Sequence, residues 1–479
     1  MARASVFQAG RLLSLGTLAE HALMFLRVLI VARFLGPENF GIAVTFLLTV
    51  STFALVSDLG IEKYVIQARE ADFARGLPSL AAILALRGIA MAALIAVSAG
   101  WIARLFGNPD LAWFYALAAI VPLIEGFRHL GPLSRQRQMQ FGPWVAVQLG
   151  GLVPGIALTI ALAIATESYI AIAMGAIATS LISVALSHIV ARSRYRLGFD
   201  RGAFESILSY GWPLLLSGMV IFLATQGDRI VVGAMEGMRD LAAYAAVAAI
   251  TGGMSVFFAK LLGNLFLPLI SESREDPAAY AARSRTTGAA ALLVIACVVF
   301  PFASLGAPIV PVLFGGSYAV PTLLVTFLAI LAAATVLRSW CVVISLSMGG
   351  TGDILAFNIV RVGGIVGAYL AVADGYGIVW VAASMCAGDV AATVLALWRV
   401  SRRSAEVRVS CLIFGSAFLL STAAIIAANA VLPVDPPFAL RLVIAVATSL
   451  PGLIVALLAA PDLRRRLANI APRAYRSLR

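Results

Sequence analysis

The sequence has few of the residues on which catalysis and metal binding depend. Its 479 residues include only three histidines and four cysteines. The histidines are far apart and never occur in a metal-binding spacing such as H-E-x-x-H, and no nucleotide-binding loop of the form G-x-x-x-x-G-K-[ST] is present. The cysteines stand singly in apolar runs, which is typical of small buried side chains. We therefore predict no catalytic residue, no metal and no cofactor.

Charged residues are also scarce, at 12% of the chain, whereas 61% of the residues are hydrophobic and the mean hydropathy is +0.98. The hydrocarbon core of a bilayer, about 30 Å thick, needs roughly 20 apolar residues per helix. Fourteen runs of suitable length are present, approximately at residues 12–34, 41–61, 79–103, 111–131, 143–166, 168–190, 208–235, 240–270, 287–312, 320–346, 354–374, 376–399, 410–432 and 439–460. They predict an all-α polytopic membrane protein with about fourteen transmembrane helices.

Basic residues concentrate in alternate loops between these runs. With the N-terminus placed in the cytoplasm, 25 of the 35 lysines and arginines fall in cytoplasmic segments, and the opposite face receives only Arg33, Arg104, Arg239 and Arg441. This asymmetry follows the positive-inside rule and predicts that both termini are cytoplasmic. The net charge of +12 is then spread along one membrane face. We expect it, including the basic cytoplasmic tail 461–479, to contact anionic lipid head groups and not nucleic acid.

Some charged residues fall inside predicted spans, where a charge costs at least about 2.5 to 3.5 kcal/mol. The basic ones are Arg27, Arg87, Arg229, Lys260, Arg338 and Arg361, and the acidic ones are Glu20, Asp58, Glu125, Asp228 and Asp389. Asp58, Glu125 and Arg361 lie within a few turns of a helix end, where they can snorkel or cap. Arg27, Asp228, Arg229, Arg338 and Asp389 lie deeper. For these, a cavity-lining role and a buried ion pair both remain open.

Two local patterns concern these deep charges. In the first span, Thr17, Glu20, Met24 and Arg27 are separated by 3, 4 and 3 residues and share one helix face, which indicates a wet or protein-lined side. Asp228 and Arg229 are adjacent and point about 100° apart, so they cannot neutralise each other face to face. We expect one to face a cavity and the other a neighbouring helix.

The chain also shows weak internal repetition. An offset of 201 residues lays residues 26–44 over 227–245, aligning Gly36 with Gly237 and Arg27 with Asp228, and an offset of 213 lays 148–155 over 361–368. Both matches join spans six apart, so the copies point the same way through the membrane. We predict an N-terminal six-helix lobe at 1–200, a C-terminal six-helix lobe at 201–405 and two extra helices at 406–460. Arg27 and Asp228 would then face each other across the pseudo-symmetric centre.

Three stretches resemble one transporter family. ARFLGPENFGIAVTFLLTVSTFALVSDLGIEKYVIQ (residues 32–67), YGWPLLLSGMVIFLATQGDRIVVGAMEGMRDLAAYAAV (210–247) and ISLSMGGTGDILAFNIVRVGGIVGAYLAVADGYGIVWVA (344–382) are similar, in this order, to polysaccharide transporters of the multidrug/oligosaccharidyl-lipid/polysaccharide (MOP) exporter superfamily. The match covers the first two helices, the seventh, and the eleventh with its Tyr-Gly turn. One departure is Ala242, which stands where the first copy has the turn glycine Gly41.

The resemblance implies a flippase that moves undecaprenyl-pyrophosphate-linked oligosaccharide across the bacterial inner membrane by alternating access of two lobes around a central cavity. Arginines would bind the diphosphate by charge-assisted hydrogen bonds. We expect substrate binding by Arg27, Arg229, Arg338 and Lys260, and charge pairing or ion coupling by Glu20, Asp228 and Asp389. Such a protein would act with a polysaccharide polymerase and export machinery.

The sequence leaves two alternatives open. A cation-coupled exporter of drugs or other small solutes has the same superfamily fold, and the charges within the predicted spans, six basic against five acidic, favour the flippase only slightly. A membrane polysaccharide polymerase or ligase is disfavoured, because such enzymes need a sizeable outer loop and every predicted outer loop is short.

Overall fold

The computed structural model describes residues 2–67, 70–350, 352–433 and 436–460. All regular structure in these ranges is helical, with no strand among them. The prediction of an all-α membrane protein is confirmed. The predicted basic tail, 461–479, lies outside the described residues. By its internal contacts the chain divides into two compact units, one up to Ala246 and one from Val247 onward.

Unit 1 contains nine α-helices and the beginning of a tenth in its described part. Their bounds are α1 Ala2–Val56, α2 Ile61–Gln67, α3 Glu70–Leu105, α4 Ala112–Leu117, α5 Ile120–Glu125, α6 Gly131–Ser134, α7 Gly142–Thr166, α8 Ile170–Val190 and α9 Arg201–Met235. Within the unit α9 packs along α1 and α3. The division between these contact-based units thus falls within α10. The predicted lobes at 1–200 and 201–405 and the two extra helices at 406–460 stay predictions.

Unit 2 begins within α10 and continues to α17. The bounds are α10 Met238–Glu272, α11 Pro277–Val294, α12 Phe300–Phe314, α13 Thr322–Ser347, α14 Gly352–Ala373, α15 Ile378–Arg403, α16 Ala405–Ala430 and α17 Phe438–Ala459. A π-helical turn at Ile295–Val299 joins α11 to α12. The pairs α14–α15 and α13–α15 make the most extensive helix contacts in this unit.

Twelve helices among the described residues are long and apolar enough to cross a membrane. The first, Leu15–Val56, contains two of the predicted spans, joined at a kink. Residues 111–131, predicted as one span, form the short helices α4 and α5 instead. Pro122 explains this break, because its ring lacks an N–H and clashes with the carbonyl four residues earlier. The other predicted spans coincide with long helices, which for residues 287–312 is the continuous run of α11, the π-helical turn and α12.

The two turn glycines that the sequence aligns adopt the same backbone region. Gly36 kinks α1 with φ 70°, and Gly237 separates α9 from α10 with φ 95°. A positive φ is accessible to glycine at little steric cost, so both positions stop one helix and start the next. The two turns also pack together, because Gly41 lies directly against the Met238 carbonyl.

A second pair of aligned glycines, Gly151 and Gly364, lies at close helix contacts, one glycine in each unit. Gly151 of α7 approaches α8, where an added Cβ would lie 2.8 Å from the Thr179 carbonyl oxygen. Gly364 of α14 approaches α15 in the same way, 2.9 Å from the Ser384 carbonyl oxygen. Small residues let membrane helices approach closely, and van der Waals packing then holds them together. The sequence repeat at offset 213 thus corresponds to two similar helix pairs.

We predict that Gly41→Ala destabilises the protein by about 1 to 3 kcal/mol, because its new methyl group overlaps the backbone of Met238 and forces the two turns apart. Gly100→Ala is the matched control, since nothing lies within 4 Å of its added carbon in α3. We expect the control to be neutral or slightly stabilising. The measurement is the melting temperature of each purified variant in detergent. Equal melting temperatures would contradict the close contact.

Candidate functional site

Unit 1 encloses a charged cavity of about 320 Å³, called cavity A below. The C-terminal part of α1, the α1–α2 turn and segments of α2, α3, α5 and α7 form its wall. Its ionisable lining residues are Asp58, Glu62, Lys63, Arg87, Glu125, Arg128 and His129. In the predicted topology these residues lie toward the cytoplasmic ends of consecutive spans. The concentration of both charge signs around one space makes cavity A the candidate site.

Arg87 of α3 joins the wall to the end of α1. Its Nη2 donates to the Ala54 carbonyl at 2.7 Å, and its Nε donates to the Ser57 hydroxyl at 2.9 Å. The Ala54 carbonyl is one of the last of α1, where intrahelical donors are missing and the helix dipole favours a cation. In the turn that follows, the Asp58 carboxylate accepts the Gly60 N–H at 2.9 Å. Arg87 is therefore held in place while its guanidinium faces the cavity.

Arg128 forms the second basic centre of cavity A. Its Nη2 pairs with the Glu125 carboxylate, and its Nη1 lies 3.9 Å from Glu62 Oε1. The guanidinium carbon lies 5.8 Å from the centroid of the Trp144 ring, within cation–π distance. The Arg128 Nε is buried and has no hydrogen-bond partner in the part of the chain that the structure describes. One N–H of this side chain is thus unused.

Glu62 is the most open of the cavity carboxylates, with 59% of its side chain exposed. Burial of the carboxyl group against the cavity wall nevertheless raises the pKa of Glu62. The Arg128 charge lowers this pKa, Asp58 and Glu125 raise it, and Arg87 lowers it. Because Arg128 pairs more closely with Glu125, Glu62 is the carboxylate that a ligand in the cavity can displace most easily.

His129 separates cavity A from a second cavity, called cavity B, of about 360 Å³. The Gly131 N–H donates to His129 Nδ1 at 2.9 Å, which leaves Nε2 to donate to the Ser193 carbonyl at 3.1 Å. Burial lowers the pKa of the His129 imidazole, the neighbouring His188 lowers it further, and the bond to Ser193 opposes the shift. Both ring nitrogens have hydrogen-bond partners in the neutral form, so His129 has a structural role between the two cavities.

Asp228 and Arg229, adjacent on α9, point to different partners. The buried Asp228 carboxylate accepts the Tyr244 hydroxyl of α10 at 2.8 Å and the Arg229 backbone N–H. Arg229 donates to the side-chain carbonyl of Gln226 at 2.7 Å on its own helix. Asp228 thus faces the neighbouring helix α10. In the described residues no ion pair joins Asp228 to Arg27, so their expected meeting at the centre is not observed.

Arg338 and Asp389 form a buried ion pair in unit 2, the alternative that the sequence left open beside a cavity role. Arg338 Nη1 lies 2.6 Å from Asp389 Oδ1, and Arg361 Nε lies 3.1 Å from the same carboxylate. Thr335 also donates to Asp389, at 3.2 Å. The three charged side chains come from α13, α14 and α15, so Asp389 holds three helices together. Arg361 therefore participates in this cluster and not in capping or snorkelling.

The other predicted site residues line neither of the two cavities. Glu20 and Arg27 are half-buried on α1, and Lys260 is exposed on α10. The structure thus brings Arg338 and Asp389 together but does not gather Glu20, Arg27, Arg229 and Lys260 with them. Their proposed roles in binding and coupling stay predictions.

The cavity A residues missing from the predicted site did leave a signal in the sequence. Asp58, Arg87 and Glu125 lie in three consecutive predicted spans, each within about two turns of the cytoplasmic end. Each alone indicates only a capping or snorkelling group or an isolated charge. Taken together, three charges at one depth on neighbouring helices predict a shared polar site.

Comparisons with known proteins place the chain in a defined fold group. Residues 30–323 match the family of polysaccharide biosynthesis proteins. No curated protein sequence matches significantly. Among solved structures, a lipid II flippase MurJ in an inward closed conformation is similar over 95% of this chain and 99% of that chain, with 15% identity and a TM-score of 0.68.

Two further solved structures are similar to the chain. An inward-facing multidrug resistance MATE family transporter of the MOP superfamily aligns over 81% of this chain and 95% of its own, with 17% identity and a TM-score of 0.64. A MOP superfamily transporter from Pyrococcus furiosus, noted for the reverse polarity of its binding pocket, aligns over 84% and 96%, with 17% identity and a TM-score of 0.52. At these identities the likeness shows the shared fold.

Proposed function

The chain belongs to the family of polysaccharide biosynthesis proteins, and from this membership we propose that it is a flippase for undecaprenyl-pyrophosphate-linked oligosaccharide in the bacterial inner membrane. The observation that carries the proposal is that the family match falls on a multi-pass membrane fold also seen in a lipid II flippase. A protein of surface polysaccharide synthesis with this fold has the means to move a lipid-linked precursor. We propose transport, and no enzymatic step.

Cavity A supplies chemistry that suits such a substrate. The diphosphate of a lipid-linked sugar is anionic, and hydrocarbon rejects it. Arg87, Arg128 and Lys63 offer three cationic groups facing one space, and guanidinium donors bind phosphate oxygens through charge-assisted hydrogen bonds. The polyprenyl tail stays in the surrounding lipid. We propose that cavity A receives the diphosphate at the cytoplasmic face.

The carboxylates of cavity A are the groups with which a substrate must compete for Arg128. Without substrate, Arg128 is neutralised by Glu125 and lies near Glu62. An arriving diphosphate competes with these carboxylates for the guanidinium and also engages the unused Arg128 Nε. Binding then exchanges one set of charge-assisted bonds for another, which keeps the substrate releasable. Arg27, Arg229 and Lys260 are proposed as later contacts along the transport route, with Glu20 and Asp228 as their charge partners.

A second candidate is a cation-coupled exporter of small solutes, and the three carboxylates of cavity A favour it. Asp58, Glu62 and Glu125 line the same space as the basic groups, and MATE family transporters share the fold. Cationic solutes would bind the carboxylates, whereas a lipid diphosphate would bind the arginines. The two candidates therefore predict opposite effects on transport: loss of the basic groups would impair a flippase, and loss of the carboxylates would impair an exporter of cationic solutes.

Deletion of the gene, followed by leaflet-specific detection of lipid-linked oligosaccharide, tests the proposal. We expect precursor to accumulate in the cytoplasmic leaflet, and the plasmid-borne wild-type gene to reverse the accumulation. The same strain tests the proposed pathway partners, since the polymerase and export machinery would stay intact but lack substrate. Unchanged precursor distribution together with new sensitivity to cationic drugs would favour the exporter instead.

A further inference from the structure

We infer that cavity B is a binding site for an anionic glycerophospholipid of the membrane, separate from the proposed transport site. Its floor is apolar and consists of Leu77, Pro78 and Ala81 of α3 together with Leu130. Its rim is the segment 191–200 between α8 and α9. An apolar floor beneath a charged rim suits a molecule with a charged head and a glyceride body.

The rim carries uncompensated positive charge. Arg194 and Arg196 both line cavity B and are exposed, and within the described part of the chain neither guanidinium forms an ion pair. The residues lining cavity B include no carboxylate, in contrast to cavity A. His129, the remaining ionisable wall residue apart from Tyr195, is held neutral by its two hydrogen bonds. Two arginines on one rim with no carboxylate beside them favour the binding of an anion.

Tyr195 provides a further donor at the same place. Its side chain lines cavity B between the two arginines in sequence, and its hydroxyl oxygen is buried without a hydrogen-bond partner among the described residues. The Tyr195 ring is fixed against His188, at 4.9 Å between ring centroids, and against His129, at 5.7 Å. Buried polar groups normally have partners, so an unpartnered hydroxyl in a basic cavity indicates a missing acceptor. A phosphate oxygen would satisfy it.

The segment 191–200 is held in place on unit 1. The Gly198 N–H donates to the Pro78 carbonyl at 3.2 Å, the Asp200 N–H donates to the Ser79 hydroxyl at 2.9 Å, and the Ser193 carbonyl accepts from His129. These three hydrogen bonds fix the rim of cavity B against α3 and His129.

The outer side of the same segment is suited to the membrane interface. Leu197 and Phe199 are 55% and 76% exposed, directly after the two rim arginines. Apolar side chains beside arginines are typical of segments that lie in the head-group region, with the apolar groups in the acyl boundary and the arginines at phosphate depth. In the predicted topology the segment is cytoplasmic, where anionic lipids attract basic groups. A lipid phosphate, and not a soluble anion, is thus the ligand that its surroundings favour.

Lipid binding to the purified full-length protein tests this inference. Native mass spectrometry and thermal stability would be measured with phosphatidylglycerol, with phosphatidylcholine and with inorganic phosphate. We expect phosphatidylglycerol to bind and to raise the melting temperature, while the other two do not. Each rim arginine contributes roughly fivefold to affinity, so Arg194→Gln/Arg196→Gln should weaken phosphatidylglycerol binding roughly 30-fold. Tyr195→Phe should weaken it severalfold.

Arg192→Gln is the matched control, because Arg192 is exposed on the same segment but does not line cavity B. We expect its lipid binding to equal that of the wild type. The melting temperature of each variant without lipid reports folding, and since the rim arginines are exposed and unpaired among the described residues we expect it unchanged. Equal binding by the double variant and the control would overturn the inference. So would equal stabilisation by phosphatidylcholine, or by inorganic phosphate, which would indicate a site for a free anion.

Discussion

Asp389→Asn is expected to destabilise the protein by about 3 to 5 kcal/mol, a large fraction of the stability of an ordinary folded domain. The side chain is completely buried, and its carboxylate faces Arg338 at 2.6 Å and Arg361 at 3.1 Å. The amide keeps the size and shape of the carboxylate but removes its charge. Arg338 and Arg361 then lose the negative charge of Asp389 while they stay within the protein, and removing one partner of a buried ion pair is strongly destabilising. The measurement is the thermal or denaturant stability of the purified variant.

Glu272→Gln is the matched control, because it also neutralises a carboxylate of unit 2. Glu272 lies 3.1 Å from Arg283, but its side chain is 75% exposed. Solvent screens such a pair, so its loss should change stability by at most about 1 kcal/mol. If both variants were equally stable, Asp389 would not be the centre of the three-helix contact.

A double variant shows how much of the stability lost in Asp389→Asn comes from the positive charge of Arg361. Arg361→Gln removes one of the two positive charges that Asp389 faces in the wild type. In the Asp389→Asn background we therefore expect Arg361→Gln to cost less than it does in the wild type, or to restore part of the stability. Residues within one network couple by about 0.5 to 3 kcal/mol, which a double-mutant cycle detects. Strict additivity would show that the two residues do not interact.

The helices of this protein were predictable from the sequence because the membrane imposes a length. Within a bilayer, an apolar run of about 20 residues has few ways other than a helix to form hydrogen bonds with all its backbone N–H and C=O groups. Long apolar runs therefore predicted long helices. The exception, residues 111–131, contains Pro122. Membrane helices often tolerate proline, since neighbouring groups can satisfy the freed carbonyl. Whether a given proline breaks its helix depends on packing partners that the sequence does not name.

The candidate site was less predictable because sequence position gives the depth of a residue but not its neighbours. Arg338 and Arg361 lie 51 and 28 residues before Asp389 along the chain, and no helical spacing rule connects residues so far apart. Asp228 similarly accepts a hydrogen bond from Tyr244 on the next helix, a partner that the alignment with Arg27 did not indicate. Alignment of repeats predicts equivalent turns, as at Gly36 and Gly237, but not which side chains meet.

Lys63→Gln is expected to lower the rate of lipid-linked oligosaccharide flipping at least about tenfold without changing stability. A hydrogen bond to a charged group contributes about 1.5 to 3 kcal/mol, which corresponds to roughly 10- to 150-fold in affinity. Lys63 lines cavity A and makes no ion pair within the described residues, so its loss disturbs no internal salt bridge of that part. The measurement is flipping in proteoliposomes containing the purified variant.

Arg128→Gln should lower flipping by a similar or larger factor, but it also leaves Glu125 without its ion-pair partner. The melting temperature of this variant must therefore be compared with its transport rate. Arg201→Gln is the control for both changes, because Arg201 is a basic residue of the same unit whose side chain is 85% exposed and pairs with Glu205 on its own helix. We expect its transport and stability to match the wild type.

Removal of a carboxylate from the same cavity distinguishes the two candidate functions. If cavity A binds a diphosphate, Glu62→Gln removes a competitor for Arg128 and should leave flipping unchanged or faster. If it binds a cationic solute, the same change removes a ligand, so export should fall at least about tenfold while Lys63→Gln has little effect. Arg128→Lys keeps the charge but loses the planar fork, so a diphosphate site should recover only part of its activity. The sign of the Glu62 effect therefore tests the charge of the substrate without requiring its identity.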